Sequence, residues 1–138
     1  MRINKTDNVT EVSEFTDLSC LRSADLGSPA LIIVHLQSAA APDEKTRDFL
    51  RSAPFITAAA GDISDIDVRS AFDLKISDEE AALLPEKLFK DKSRRQINEI
   101  NAIFIAARKG ASQEELLEME SRAFYRLMAD KNGGGSNE

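Results

Sequence analysis

The sequence predicts an α/β domain: a small parallel sheet of stacked βαβ units, followed by a helical C-terminal segment. Three observations predict it. The run Ala30-Leu31-Ile32-Ile33-Val34-His35-Leu36 is short, apolar and β-branched, as in strands covered on both faces. A second such run, Phe55-Ile56-Thr57-Ala58-Ala59-Ala60, follows after one helix-length segment, the spacing of two parallel strands joined by a crossover. From Ser77 onward, apolar residues recur at helical spacing behind serine-led start signals. With 138 residues, one domain over 1–131 is expected, burying roughly two-thirds of its unfolded surface, with 132–138 as a flexible polar tail.

Element by element, residues 1–28 carry the least signal. Ile3, Val9, Val12, Phe15, Leu18 and Leu21 recur at spacings of three and six, which predicts a helix over 12–25, broken by Gly27-Ser28-Pro29. After the first clear strand, a helix is expected over 42–51. Pro42 suits a first turn, and Asp43 and Glu44 sit where the helix dipole favours anions. Pro54 opens the second strand and Gly61 closes it. A third, alternating strand is predicted over 72–76. Ser77-Asp78-Glu79-Glu80 and Ser112-Gln113-Glu114-Glu115 have the form of capping boxes. The C-terminal helices are expected over 94–131. Ile97, Ile100, Phe104 and Ala107 share one face of the first, which Arg108-Lys109-Gly110 ends. Leu116, Met119, Ala123 and Leu127, flanked by Leu117, Phe124 and Met128, form a wide stripe on the last.

Composition excludes some functions. A hydrophobic content of 42% with 30% charged residues is globular and rules out a disordered chain. A net charge of -6 argues against a nucleic-acid partner, which requires clustered Lys and Arg. No apolar run is long enough for a membrane span, and the N-terminal stretch lacks the apolar core of a signal peptide; a cytoplasmic location is the expectation. Cys20, the lone cysteine, fits a reducing compartment and reads as a buried structural thiol. His35, inside an apolar strand, reads as a satisfied core or sheet-edge histidine. Asp62, Asp65 and Asp67 alternate as hard-cation ligands do, but the glycine and distal Glu of a calcium loop are missing, so no metal is expected. Asp62, just after a glycine, suits a helix N-cap.

Two segments resemble proteins of the crotonase (enoyl-CoA hydratase/isomerase) superfamily. PFITAAAG, followed by AFDLKISDEEAALLPE, is similar to the family's KPVIAAVNG-like strand, helix entry and ACDLRI-like strand, with Pro85-Glu86 matching the family's Pro-Glu. NAIFIAARKGASQEELLEMESRAFYRLMADK resembles the closing helices. The resemblance covers roughly half the chain. It implies a ClpP/crotonase-type fold acting on an acyl-CoA thioester. Two backbone amides would stabilise an enolate oxygen, and one or two carboxylates would move protons. On this chain it places the amide donors near Ser38 and Ala39 and at Ser64, beside Gly61, and the acid–base groups at Asp67 and Glu86. Lys87 and Lys90, within the basic run that continues through Lys92, Arg94 and Arg95, would face the CoA phosphates; otherwise the run is a solvated helix entry.

The chain departs from the family pattern in two places. Between Val34 and Pro54 the sequence is shorter and has no AGxD-like loop, leaving Gln37-Ser38-Ala39-Ala40-Ala41 in its place. Gly61-Asp62-Ile63-Ser64 lacks the family's glycine run, and Asp67 is one methylene shorter than the usual Glu. The resemblance therefore implies either a crotonase-like protein that binds or processes an acyl-CoA thioester, with no other cofactor, or an inactive homologue that serves as an interaction or assembly subunit. A trimer-based homo-oligomer, or a complex with a partner protein, is the expected assembly. An unrelated small α/β regulatory domain stands as a third possibility.

Overall fold

The computed structural model describes residues 1–36, 42–61 and 70–119. The chain divides into two compact units, Met1–Lys90 and Asp91–Glu138. The first is an α/β unit around a five-stranded sheet in the order β1-β2-β3-β4-β5, with β1 Arg2–Lys5, β2 Val9–Ser13, β3 Leu31–His35, β4 Ile56–Ala60 and β5 Leu74–Ile76. The sheet is mixed. β1 and β2 form an antiparallel hairpin, whereas β2, β3, β4 and β5 run parallel. The parallel relation of β3 and β4 agrees with the sequence expectation, and the hairpin corrects the expectation of an all-parallel sheet.

The helix expected over 12–25 is not formed. Val9, Thr10 and Val12 are β-branched and buried in β2, which pairs with β3 from Val9 opposite Leu31 to Val12 opposite Val34. Only Leu18–Arg22 turns helical, as a 3-10 helix whose Asp17 cap accepts from the Ser19 amide. The spacing of three that suggested one long helix is thus shared between a strand and a short 3-10 turn.

Both faces of the central strands are buried, Leu31, Ile33, Ala58 and Ala60 on one and the larger apolar cluster on the other. Val12, Ile32, Val34 and Ala59 point to the cluster side, where Leu18 and Leu21 of the 3-10 helix and Leu50 of helix α1 (Glu44–Ser52) cover them. Helix α1 starts later than expected because Asp43 is its cap: the carboxylate accepts from the Thr46 amide at 2.8 Å. Arg22 links the two covering helices, donating from Nε to the Thr46 hydroxyl at 3.3 Å and pairing with Asp43 at 3.5 Å. β5 is shorter than the predicted strand, since Phe72 is spent on the core.

Helix α2 (Asp78–Phe89) packs against β3, β4 and β5. Its predicted capping box is formed: the Glu80 amide donates to Ser77 Oγ at 3.1 Å and the Ser77 amide donates to Glu80 Oε1 at 3.1 Å. Pro85 lies inside α2 and removes the amide that would reach back one turn.

The second unit contains helix α3 (Arg94–Arg108) and a helical stretch over 113–119. Ser93 and Gln96 form a capping box at the start of α3 that the sequence reading did not single out. The predicted box at Ser112 is present, with Glu115 as its partner. Of the stripe predicted for the last helix, Leu116 and Met119 are half-buried and Leu117 is exposed; Ala123, Phe124, Leu127 and Met128, like the tail at 132–138, lie outside the described residues.

Candidate active site at the carboxyl edge of the sheet

In parallel sheets the chain leaves every strand at the same edge, which is where open α/β proteins gather functional loops. Here β3 and β4 end side by side. Their pairing runs from Leu31 opposite Ile56 to His35 opposite Ala60. The Leu36 amide then donates to the Ala60 carbonyl at 2.8 Å, and the Gly61 amide donates to the Ile76 carbonyl at 3.0 Å. Gly61 has φ +125, and a Cβ built there would come within 2.4 Å of the Leu36 carbonyl oxygen. Only glycine permits the two strands to part this closely. That accounts for the glycine closing PFITAAAG in physical terms, independent of any resemblance.

The two strands of the first resembling segment, PFITAAAG and AFDLKIS, are joined at the opposite end of β4. The Thr57 amide donates to Asp73 Oδ2 at 2.9 Å, and the Asp73 amide donates to the Thr57 hydroxyl at 3.0 Å. Asp73 thus finishes the β4–β5 pairing where the main-chain ladder has not yet begun.

On the sheet face away from α1, the carboxyl edge holds a polar constellation. Residues of β1, β2 and β3 that share this face are Arg2, Asn4, Glu11, Ser13 and His35, and with Ile3 they line a groove of about 480 Å³. His35 Nε2 lies 2.9 Å from Glu11 Oε1, and its Nδ1 lies 3.4 Å from Asp78 Oδ1 at the start of α2. An ionised carboxylate only accepts, so Nε2–H donates to Glu11. His35 is therefore a sheet-edge histidine with a carboxylate at each ring nitrogen, and its side chain is 29% exposed.

The sequence-derived site residues fall in two sets. Gly61, Glu86, Lys87 and Lys90 are described. Ser38, Ala39, Ser64 and Asp67, together with Asp62 and Asp65, lie outside the described residues. Glu86, on an exposed face of α2, pairs with Lys90 at 3.3 Å. It stands about 12 Å along the helix from Asp78, at 1.5 Å per residue. Lys87 is exposed on the same helix. Among the described residues no group of His, Cys, Asp and Glu is arranged to hold a metal ion. The Cys20 thiol is half-buried against the core; burial, then the charge of Asp17, pushes its pKa above the usual thiol value, which disfavours the nucleophilic thiolate.

Glu11 and Asp78 are the members of this constellation that sequence reasoning missed. Glu11 stands between Thr10 and Val12 in β2, just ahead of the helix that the spacing predicts over 12–25, and Asp78 falls inside the predicted capping box. The usable signal was the alternation Val9, Glu11, Ser13 against Thr10, Val12, which puts the two polar residues on one face.

Compared with protein-family models, curated proteins and solved structures, the chain matches none. The described geometry therefore stands by itself. No helix among the described residues is long and apolar enough to cross a membrane.

Proposed function

We propose that this chain is a shortened, divergent crotonase-like domain, related to enoyl-CoA hydratases and isomerases, that binds an acyl-CoA thioester at the carboxyl edge of its sheet. The reading is supported chiefly by the parting of β3 and β4. These strands are parallel and in register, and the segments following Leu36 and Gly61 leave the same edge next to each other. An enolate-stabilising site requires two amides aimed at one carbonyl oxygen, and two neighbouring strand ends are a place from which such a pair could be supplied. The adjacency of the PFITAAAG and AFDLKIS strands, fastened by Thr57 and Asp73, is the order the resemblance calls for.

In this reading Asp67 and Glu86 are the acid–base groups carried over from the family, the Ser64 amide is an oxyanion donor, and Lys87 and Lys90 meet the CoA phosphates. A trimer-based oligomer or a partner protein completes the assembly. The second reading is an inactive homologue acting as an interaction subunit. It is favoured by one observation: the Glu86 carboxylate is exposed and tied to Lys90.

A titration with acetyl-CoA followed by thermal stability tests the binding shared by an active enzyme and an inactive homologue that keeps its ligand. Ligand at a hundredfold excess over its dissociation constant stabilises by about 2.7 kcal/mol. A rise in melting temperature that saturates is the expected result. No rise at millimolar acetyl-CoA contradicts the proposal. Hydration of crotonyl-CoA then separates the readings: turnover supports the active protein, and binding without turnover supports the subunit.

A further inference from the structure

We propose that Glu11 is a proton-transfer group of this site, with His35 as its positioning residue and Asp78 as the anchor of His35. The inference rests on the acyl-thioester reading and adds to it a carboxylate that no resemblance assigned.

The geometry points to Glu11 for three reasons. It lies on the groove face of β2, near the edge where β3 and β4 part, and lines the groove together with Arg2, Asn4, Ser13 and His35. Its Oε1 is fixed by His35 Nε2 at 2.9 Å, and His35 is itself held from the far side by Asp78 at 3.4 Å. Its Oε2 takes no hydrogen bond from the described residues, so one oxygen of an oriented carboxylate has lone pairs open to the groove. Both ring nitrogens of His35 face carboxylates, which leaves the histidine to orient and Glu11 to react. The Glu11 side chain is 39% exposed, so a ligand reaches it without unfolding the strand.

The step is a reversible proton transfer. Glu11 Oε2 takes a proton from the carbon next to the thioester carbonyl. The electron pair of that C–H bond becomes the C–C π bond of the enolate, and the carbonyl π pair moves to oxygen. The protonated Glu11 exchanges with solvent and returns a solvent proton to carbon. No oxidant, metal or second substrate is consumed.

Exchange of the acetyl protons of acetyl-CoA in D2O, followed by NMR, measures this step directly. The parent protein is expected to catalyse exchange. Glu11→Gln, which keeps the shape and an acceptor for His35, is expected to lose about 100-fold or more in rate, the scale of general acid–base catalysis, while acetyl-CoA binding changes less than about twofold. His35→Gln is expected to lose about 10-fold and to change the pH–rate profile, a readout that a packing role would leave alone. Circular dichroism confirms that each variant is folded. A folded Glu11→Gln protein exchanging at the parental rate overturns the inference, as does loss of exchange in Asp67→Asn with Glu11→Gln unaffected. A parent that binds acetyl-CoA but exchanges nothing overturns the role of Glu11 and leaves the binding reading standing. A parent that does not bind acetyl-CoA overturns both.

Discussion

Toward the carboxyl ends of β2 and β3 the two faces of the strands are built on opposite plans. On β2 and β3, Val12, Ile32 and Val34 point into a buried, largely apolar layer beneath the 3-10 helix and α1, and each is essentially inaccessible to solvent. Their immediate neighbours Glu11, Ser13 and His35 point the other way, into a polar groove that β1 closes with Arg2 and Asn4. Since successive side chains in a strand alternate, the buried layer and the polar groove are separated by a single residue step. A site on rigid strands is held more firmly than one on loops, and here the apolar face supplies that rigidity. The face that holds the groove becomes core away from it, where Leu31, Ile33, Ala58 and Ala60 are fully buried, so the polar side chains are confined to β1, β2 and the end of β3.

If that division is right, substitutions on the two faces differ sharply in cost. Leu50→Ala, beneath the apolar face, is expected to lose about 2–5 kcal/mol of unfolding free energy in urea, the range for emptying a buried leucine site. Gly61→Ala is expected to cost less, about 1–3 kcal/mol from the backbone conformation alone, with the overlap on the Leu36 carbonyl added unless the strands shift. A neutral outcome there would mean that β3 and β4 can part in another way, which would remove the structural reason for the glycine. His35→Gln, on the groove face, is expected to stay within about 1 kcal/mol of the parent, because its partners are exposed carboxylates that water can serve. A loss as large as that of Leu50→Ala would break the comparison and make the polar cluster a structural element.

The smallest effect concerns pH and lies outside the groove. Asp43 is held below its ordinary value of 3.8 by hydrogen bonds from the Thr46 side chain and amide, with Arg22 and Lys45 adding to them. Asp25 is lowered by the Lys5 side chain and the Gly27 amide. Depressed folded-state values stabilise the protein above the unfolded value, and the contribution disappears as pH falls through the folded one. Melting temperature is therefore expected to decline below about pH 4. Asp43→Asn and Asp25→Asn should flatten that decline, and an unchanged slope would show that these acids do not contribute.

What the sequence revealed follows from where its signals are local. β3, α1 and β4 were legible because apolar runs, caps and breakers coincide there. The capping box at Ser77 was legible because both partners lie within one turn. β2 was not, since Val9, Val12, Phe15, Leu18 and Leu21 also fit a helical spacing, and only pairing with the distant Leu31–His35 strand decides the matter. The same non-local pairing hid the groove. Glu11, His35 and Asp78 are far apart in sequence and meet only after the sheet has formed and α2 has docked. The glycine at 61 was visible as punctuation, while its reason, the closeness of the Leu36 carbonyl, belongs to the pairing of two strands.

The proposed acyl-thioester site lies at the carboxyl edge of the sheet, beside its polar groove. The most direct measurement is a titration of isotopically labelled protein with acetyl-CoA, following backbone amide resonances. Saturable shifts at Leu36, Ala60 and Gly61, extending to Glu11 and His35 and sparing Val12, Ile32 and Leu50, are the predicted result. Saturable shifts confined to residues outside that edge, or resonances unmoved at millimolar ligand, would contradict it.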